Sequence, residues 1–248
     1  MWPIFVISLK DQLERRGKIT AQLKNFDLCF EFIDAIDGRF GIPTNFEYLI
    51  DRPNTEVFFG RSLSDAEYAC ALSHMSVYQI VESEKLPGAI VLEDDARLLA
   101  GFEEIMRSGG YRDYDFLQFD YSKAYVWRSS KTEISEDLDA FRLFRNVSRA
   151  TGYSISARAS THVLCKGLPL ISTADWPCDM LPVGAWAVSP RIVKSADQYK
   201  IDSAIEPSRS RISLPKFPSH LQSLNYNKWR ANRILRLILM RAFLTCLS

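Results

Sequence analysis

The chain has 248 residues, of which 47% are hydrophobic and 25% are charged, as in an ordinary globular protein. This length fits one large domain, or one domain with a small appendage. No apolar run is long enough to cross a bilayer. The apolar start MWPIFVISLK lacks the basic region and cleavage site of a signal peptide, so we expect a first strand there and no secretory leader.

The distribution of charge and the cysteines restrict further the class of protein to which this chain can belong. The net charge is only +1, but beyond Glu206 the chain has eight basic residues and no acidic one. That segment therefore carries +8 and the rest of the chain carries −7. The five cysteines are odd in number and include no C-x-x-C pair, which disfavours a zinc cluster or a disulfide framework and favours reduced thiols in the cytosol.

The beginning of the chain alternates predicted strands and helices. PIFVISL is a short run typical of a buried strand, and the next segment changes to helical spacing, with Asp11 and Glu14 at the distance of a capping box. CFEFIDAIDG is interpreted as a second strand closed by a turn at Asp37 and Gly38, where we expect Gly38 to adopt a positive φ. Strand, helix and strand together predict a βαβ unit.

A second set of elements follows an irregular stretch. Ser64 and Glu67 have capping-box spacing and predict a helix over Asp65–Ser83. The run AIVL does not alternate with polar residues, which is typical of a central parallel strand buried on both faces. GFEEIMRS and ARASTHVLCKGL predict helices, whereas YDFLQFD, TGYSIS and GAWAVSP predict strands. Residues 121–149 show no clean periodicity and are interpreted as a loop.

These elements predict an α/β domain over residues 1–222, with a mostly parallel central sheet flanked by helices, followed by a basic helical tail at residues 223–248. Basic amphipathic helices lie on anionic membrane surfaces. Docking of the helix on the domain, or a dimer contact, are the alternatives. The predicted apolar stripe consists of Trp229, Ile234, Leu237, Ile238 and Leu244, with Arg230, Arg233 and Arg241 at its rim.

Three carboxylates, Glu93, Asp94 and Asp95, directly follow the run AIVL. Ligands of open α/β sheets bind at the carboxyl ends of the strands, and adjacent carboxylates call for a nearby positive charge. Glu93 and Asp95 share one side of an extended segment, and their oxygens suit Mg²⁺ or Mn²⁺. The motif therefore predicts a metal–nucleotide site, with a solvated turn as the alternative.

Four segments resemble glycosyltransferase family 25, which includes bacterial lipooligosaccharide galactosyltransferases and collagen galactosyltransferases. In order they are FVISLKDQLERRGKITAQL, FEFIDAIDG, LSDAEYACALSHMSVYQIV and PGAIVLEDDARL. Weaker similarity continues in TGYSISARASTHVL, WPCDM and VSPRIVKSADQYKIDSAI, and about 122–149 has no counterpart. The resemblance implies a GT-A-like fold, a nucleotide-sugar donor, a divalent cation and inverting transfer. It makes Asp95 the main metal ligand, with Glu93 or Asp94 binding ribose or the metal shell.

The resemblance also implies donor-binding residues. Arg15 or Arg16, with Arg15 preferred, would pair with the donor diphosphate, and the alternative is an exposed helix charge. Ser73 and His74 would contact the donor or support the acid cluster, unless they are satisfied core residues. Asp37 would touch the nucleoside or serve only the turn.

Inverting transfer needs a carboxylate that takes the proton from the acceptor hydroxyl. Asp179 in DWPCDM is the first candidate, because the family has an acid in the corresponding stretch, and Asp120 at a strand end is the second. A helix N-cap and a strand-end turn are their structural alternatives. Trp176 could stack on a sugar or belong to the core. A late histidine completes the metal shell in several GT-A enzymes, but the Pro-rich basic surroundings of His220 argue against that role, so the third metal ligand stays open.

The combined prediction is an inverting glycosyltransferase that depends on Mn²⁺ or Mg²⁺ and moves galactose from UDP-galactose onto a lipooligosaccharide or related glycan. A Mg²⁺-dependent phosphohydrolase and a non-catalytic membrane-associated scaffold with a vestigial transferase site are the alternatives. We expect a cytoplasmic protein, peripheral at the inner face of the plasma membrane through its tail. We expect no nucleic-acid partner, because the basic segment contains no recognisable binding module.

Overall fold

The structure is a computed structural model that describes residues 1–196 and 244–247. Helices and strands are numbered in chain order. The helices are α1 (Leu13–Asn25), α2 (Arg52–Phe59), α3 (Asp65–Ser83), α4 (Ala100–Ser108) and α5 (Ala157–Gly167). The strands are β1 (Ile4–Ser8), β2 (Glu31–Asp34), β3 (Gly88–Glu93), β4 (Ala96–Leu98), β5 (Phe116–Gln118), β6 (Ala124–Trp127), β7 (Thr132–Ser135), β8 (Leu138–Arg142), β9 (Gly152–Ser156), β10 (Ala185–Ser189), β11 (Val193–Ser195) and β12 (Leu244–Leu247).

An eight-stranded sheet in the order β2-β1-β3-β9-β5-β10-β8-β7 forms the centre of the fold. β1 is parallel to β2 and β3, and β10 is parallel to β5, but β9 is antiparallel to both β3 and β5 and β8 is antiparallel to β10 and β7. The sheet is therefore mixed, and the prediction of a mostly parallel sheet was wrong. The reason is that the chain between β5 and β9 returns to the edge where β5 ends, so Tyr153 near the start of β9 pairs with Gln118.

Both faces of the sheet are buried, as the run AIVL predicted. Residues of β1 alternate between two hydrophobic layers, with Phe5 and Ile7 facing α3 and α5 and with Ile4 and Val6 facing α1 and α4. Full burial of each such side chain stabilises the fold by about 1.5–3 kcal/mol. The α/β architecture with helices flanking the sheet is confirmed.

One of the two predicted capping boxes is present. The Ser64 side chain accepts from the backbone of Glu67, and the Glu67 side chain accepts from the Ser64 backbone, so α3 begins where the sequence predicts. The box at Asp11 and Glu14 was wrong, because α1 begins after Gln12 without a side-chain cap. The Asp11 carboxylate instead pairs with Arg39 at 2.8 Å.

The segment 121–149, interpreted as a loop, contains β6, β7 and β8. Ala124 and Val126 are buried and alternate with half-buried neighbours in β6, and Leu138 and Ala140 repeat that pattern in β8. These strands have four or five residues each and carry aromatic or charged side chains on the outward side. Such short runs do not build a recognisable period in the sequence.

The described part of the predicted tail helix is a strand. Leu244–Leu247 pairs antiparallel with β6, and Leu244 is buried, so the helix prediction was wrong for these residues. The remainder of the tail, together with His220, lies outside the described residues. Within the described ranges, no helix combines the length and the apolar character that crossing a bilayer requires.

Gly38 lies where the loop after β2 passes the start of α3. Its φ is outside the positive range, so that expectation was wrong. Glycine is required here for a different reason: a Cβ would lie 2.4 Å from the carbonyl oxygen of Asp65 and 2.8 Å from the Cα of Ala66. These atoms belong to the backbone of α3 and have little freedom to move.

Gly38→Ala should lower the free energy of unfolding by about 1–3 kcal/mol, because the added methyl group overlaps backbone atoms. The measurement is urea denaturation followed by circular dichroism. Gly17→Ala in α1 is the matched control, since a Cβ at that position meets nothing within 4 Å. It should raise stability by about 0.5–1 kcal/mol. Wild-type stability of the Gly38 variant would contradict the close contact.

Candidate active site

A cleft of about 190 Å³ opens at the carboxyl ends of β1, β2 and β3. The loop after β2 and the start of α3 form its other walls. All three carboxylates that follow β3 line it, as the motif predicted. Its polar lining consists of Ser8, Gln12, Arg15, Asp37, Arg39, Glu93, Asp94 and Asp95.

Asp94 is held by β1 and α1. Ser8 Oγ donates a 2.7 Å hydrogen bond to Asp94 Oδ2, and Arg15 pairs with Asp94 Oδ1 at 3.4 Å. Its backbone N–H donates to the carbonyl of Ile7 at 3.1 Å. Burial raises the pKa of Asp94 above its usual value, although Ser8 and Arg15 act in the opposite direction. A positive charge placed beside Asp94 would therefore lower its pKa and favour the ionised form.

Glu93 is held from the helix side. His74 Nε2 lies 3.2 Å from Glu93 Oε1, and Cys70 Sγ donates to the same oxygen at 3.8 Å. Burial is the largest single effect and would raise the pKa of Glu93, but His74, Cys70 and Arg15 together outweigh it, so the pKa lies below its usual value. Glu93 is thus an ionised acceptor at neutral pH.

Asp95 contacts the last two residues of the first described range, Ser195 and Ala196. Ser195 Oγ donates to Asp95 Oδ2 at 2.5 Å, and the backbone N–H of Ala196 donates to the Asp95 carbonyl at 2.9 Å. Asp95 and Asp94 also line a second depression that contains Arg15, Lys18 and Arg97. The acid motif therefore borders two adjoining hollows of mixed charge.

The two arginines of α1 have different surroundings. Arg15 lines the cleft beside Asp94. Arg16 instead donates to the Ser8 backbone carbonyl at 2.9 Å, pairs with Asp34 at 2.5 Å and lies over the Phe32 ring. The geometry favours Arg15 for a contact with a ligand and gives Arg16 the task of joining β1 to β2.

Ser73 holds the loop after β2 in place, and Asp37 belongs to that loop. Ser73 Oγ accepts from the backbone N–H of Ile36 at 2.9 Å and donates to the carbonyl of Ala69 at 2.7 Å, so it fastens this loop to α3. Hydrogen bonds from Arg39 lower the pKa of Asp37 below its usual value. Asp37 lines the cleft, whereas Ser73 lies behind it.

Asp120 lies outside the described lining of the cleft and is fully buried. It pairs with Arg149 at 3.4 Å and Arg191 at 3.5 Å, and its Oδ2 accepts from the backbone N–H of Ser195 at 3.2 Å. A base has to reach a substrate hydroxyl, so this environment favours a structural role for Asp120.

Asp179 is exposed, and its Oδ1 accepts from the backbone N–H of Leu181 at 3.0 Å, which is a turn contact. The described residues that line the cleft do not include it. Trp176 belongs to the core: it is buried, and its Nε1 donates to the Val147 carbonyl at 2.8 Å. A sugar would have no access to its ring.

Asp175 is an acid that the sequence reasoning did not consider; like Asp179, it is not among the described residues that line the cleft, but it lies within electrostatic range of Glu93. Its Oδ1 accepts from the backbone N–H of Arg149 at 2.9 Å. Although the residue has an exposed side, desolvation of its carboxyl group and then the negative charge of Glu93 raise its pKa above the usual value. The next residue, Trp176, has a φ of 83°, a strained value for a side chain of this size.

Two donor sets in this region could hold a metal. The carboxylates of Glu93, Asp94 and Asp95 offer the hard oxygen atoms that Mn²⁺ and Mg²⁺ prefer, and they share one cleft. Cys70, His74 and Glu93 offer one ligand atom each within 4.8 Å of one another, a mixed set that suits softer ions. The carboxylate set therefore fits the ion that the acid motif implied.

The sequence analysis also did not identify three residues near the acid motif: Ser8, Cys70 and Tyr153. Ser8 ends an apolar strand, Cys70 lies within an apolar helix face and Tyr153 lies within a strand, so each has the pattern of a core residue. Cys70 and His74 are four residues apart on one face of α3, and this spacing is the one signal that could have joined Cys70 to the site.

Comparison with known proteins identifies relatives that are named as glycosyltransferases. A mouse (Mus musculus) protein named "Inactive glycosyltransferase 25 family member 3" is 31% identical over 102 residues, which are 40% of this chain and 17% of that protein. Procollagen galactosyltransferase 1-B of Xenopus laevis is 25% identical over 170 residues, 65% of this chain and 28% of that protein. A "Putative glycosyltransferase" of Haemophilus influenzae is 27% identical over 177 residues, 69% of this chain and 60% of that protein.

The chain thus spans less than a third of the two animal proteins and 60% of the bacterial one. The family model described as "Glycosyltransferase family 25 (LPS biosynthesis protein)" matches residues 1–175, which include β1 to β5, β9 and the whole acid motif. Because that match covers well over half of the 248 residues, the chain belongs to glycosyltransferase family 25.

Proposed function

We propose that this chain is an inverting glycosyltransferase that uses Mn²⁺ or Mg²⁺ and transfers galactose from UDP-galactose to a lipooligosaccharide or related glycan. The observation that carries the proposal is the single cleft at the carboxyl edge of the sheet that Glu93, Asp94, Asp95 and Arg15 line together. Family membership supports the reaction class, and relatives named procollagen galactosyltransferases support galactose as the sugar.

The residues of the cleft supply complementary charges to a sugar nucleotide. A bound divalent ion would neutralise the charge that develops on the departing diphosphate. Asp95 and Glu93 would hold that ion, and Arg15 would pair with diphosphate oxygens once they compete with Asp94 for its guanidinium group. Asp37 on the opposite wall offers carboxylate oxygens to hydroxyl groups of the nucleoside.

For the base we propose Asp175 ahead of Asp179. An efficient general base has a pKa near the working pH, and the pKa of Asp175 is raised by desolvation and by Glu93. Asp175 is also within electrostatic reach of the cleft carboxylates, whereas Asp179 is exposed and bound in a turn. Protonation by an acceptor hydroxyl would relieve the repulsion between Asp175 and Glu93.

A non-catalytic protein with a vestigial site is the second candidate, because several relatives are named as inactive family members. The two candidates differ in whether a nucleotide sugar bound in the cleft is used for transfer. The acid motif with its partners Ser8, Arg15 and His74 supports binding.

UDP with MnCl₂ should stabilise the wild-type protein. At a UDP concentration near 100 times Kd, the gain is about 2.7 kcal/mol, or about 5–10 °C in Tm for a chain of this size. Asp95→Asn should lose most of the Mn²⁺-dependent shift, whereas Asp113→Asn, which changes an exposed carboxylate in the 3₁₀ turn after α4 that does not line the cleft, should keep it. Differential scanning fluorimetry measures each shift.

Absence of any wild-type shift with UDP and MnCl₂ would overturn the donor-site assignment. A clear shift without transfer from any nucleotide sugar in a donor screen would favour the vestigial-site candidate. A shift that persists in the Asp95 variant would mean that residues other than Asp95 hold the ion.

Three aspartate variants identify the base. Asp175→Asn should lower kcat by a factor of about 10²–10⁴ while UDP affinity remains, because it removes only the proton acceptor. Asp179→Asn should stay close to wild type. Asp120→Asn should lower stability by about 2–3 kcal/mol, since Arg149 and Arg191 lose a buried counter-charge but are themselves partly exposed.

Product formation, UDP affinity and urea denaturation distinguish these roles. Loss of transfer in Asp179→Asn with full activity in Asp175→Asn would return the role to Asp179. A fully stable Asp120→Asn variant that cannot transfer would make Asp120 the base.

We also propose that the protein acts at the cytoplasmic face of the inner membrane, with its basic tail on the anionic surface and its acceptor in the lipid. The +8 charge beyond Glu206 supports this, although most of that segment lies outside the described residues. Replacing Arg230, Arg233 and Arg236 with Gln should weaken binding to phosphatidylglycerol vesicles at least tenfold, since each basic residue contributes about 1 kcal/mol at such a surface.

Vesicle cosedimentation measures this loss, with Arg107, Lys123 and Arg128 replaced by Gln as the matched control of equal charge on exposed positions of the domain. Deleting the tail would be a poorer test, because it removes Leu244, which is buried against β6. Equal loss in both triple variants would contradict a specific role of the tail.

A further inference from the structure

A row of buried hydrogen bonds runs from the cleft into the core behind it. We propose that Tyr153 is a positioning residue that, supported by Tyr78, fixes the tautomer of His74 and through it the orientation of Glu93. The inference rests on the proposed function for its consequence, because Glu93 matters to the reaction only as a ligand of the donor or its ion.

The geometry of the row is continuous. His74 Nδ1 lies 2.8 Å from the Tyr153 hydroxyl, which lies 2.7 Å from the Tyr78 hydroxyl, and His74 Nε2 lies 3.2 Å from Glu93 Oε1. The Tyr153 ring stacks on the His74 ring at 5.8 Å with 25° between their planes. His74 is 1% exposed and both tyrosines are 0% exposed, so water cannot replace these partners.

Two elements of the mixed sheet make this row possible. Tyr153 belongs to β9, which pairs with β3 so that Tyr153 lies opposite Val91, two residues before Glu93. His74 and Tyr78 lie one turn apart on α3. The helix and the antiparallel strand therefore enclose the hydrogen bonds between them, directly behind the acid motif.

The direction of the hydrogen bonds follows from counting protons. A Glu93 carboxylate can only accept, so His74 Nε2 carries a proton and donates it. Within the described ranges, the Tyr78 hydroxyl has Tyr153 as its single hydrogen-bond partner. Its proton is used only if Tyr78 donates to Tyr153, which in turn donates to His74 Nδ1.

The opposite direction would leave the fully buried Tyr78 proton without an acceptor, which costs about 1–3 kcal/mol. The structure therefore assigns the order Tyr78 to Tyr153 to His74 to Glu93, with each group donating to the next. In this order His74 is the neutral tautomer with its proton on Nε2.

These hydrogen bonds give the two carboxylate oxygens of Glu93 different roles. Oε1 takes the contacts of both His74 and Cys70, whereas Oε2 has no hydrogen-bond partner in the part of the chain that the structure describes. Oε2 is thus the atom that Glu93 presents to an ion or a ribose hydroxyl. Without the Tyr153 hydroxyl, Glu93 is the only described partner that favours a proton on Nε2. The Nδ1-protonated ring therefore becomes more populated, and the contact of His74 with Oε1 weakens while that of Cys70 remains.

The decisive variant is Tyr153→Phe, which keeps the ring and removes the hydroxyl. Long-range ¹H–¹⁵N spectra of protein labelled in its three histidines report the tautomer directly. We expect the wild-type His74 signals of an Nε2-protonated ring, and a shift towards the Nδ1-protonated ring or an average of both in the variant. His74→Gln identifies the His74 signals.

The second readout is the affinity for MnCl₂ alone, followed by the electron paramagnetic resonance signal of the free ion. Loss of an outer partner of a metal ligand weakens metal binding by about 10-fold or more. Tyr153→Phe should show that loss, whereas Tyr78→Phe should show a smaller one, because Tyr153 can still donate to His74.

Tyr111→Phe is the matched control. Its hydroxyl is equally buried and accepts from the Trp2 backbone at 3.1 Å in the other core layer. It should lose comparable stability yet keep the His74 tautomer and Mn²⁺ affinity, which separates positioning from a merely structural effect.

An Nδ1-protonated ring in the wild type, or an unchanged tautomer in Tyr153→Phe, would overturn the inference. A changed tautomer with wild-type Mn²⁺ affinity would overturn the link to Glu93. If the wild type binds neither MnCl₂ nor UDP, the proposed function fails, while the tautomer measurement still decides the hydrogen-bond order.

Discussion

Repulsion among three carboxylates at the end of one strand is the constraint around which this site is built. Each acid has hydrogen-bond partners from a different part of the chain: Asp94 has Ser8 and Arg15, Glu93 has His74, and Asp95 has Ser195 at the end of β11. These partners hold the charges in place without cancelling them, because burial still raises the pKa of Asp94. A cation or a ligand with its own cation would complete the balance.

The strand order places those partners. β3 lies between β1, which contributes Ser8, and β9, which contributes Tyr153. α3 packs across this part of the sheet and brings His74 beneath Glu93. β9 and α3 therefore enclose the hydrogen bonds behind the acid motif between them.

Family membership and geometry bear on different parts of the proposed reaction. The family match covers residues 1–175, which include the acid motif, segment 121–149 and Asp175, and it supports the reaction class. In the proposed reaction, the geometry contributes Asp175 as the candidate base on the acceptor side. Trp176, which directly follows Asp175, is buried and has a positive φ, a strained value for this residue type.

The sequence by itself determined the elements with strong local signals. Helix α3 begins at its capping box because Ser64 and Glu67 bond to each other's backbone within one turn, and the buried run before Glu93 forms a strand whose end carries the acids. The cleft was predictable for the same reason, since strand ends in α/β folds meet at one edge. Only the tertiary structure decided the direction of β9, the strands of segment 121–149, the close approach that requires Gly38, and the partners Ser8, Tyr153 and Asp175. These depend on contacts between residues far apart in the chain, whose side chains have the same local pattern as ordinary core or turn residues.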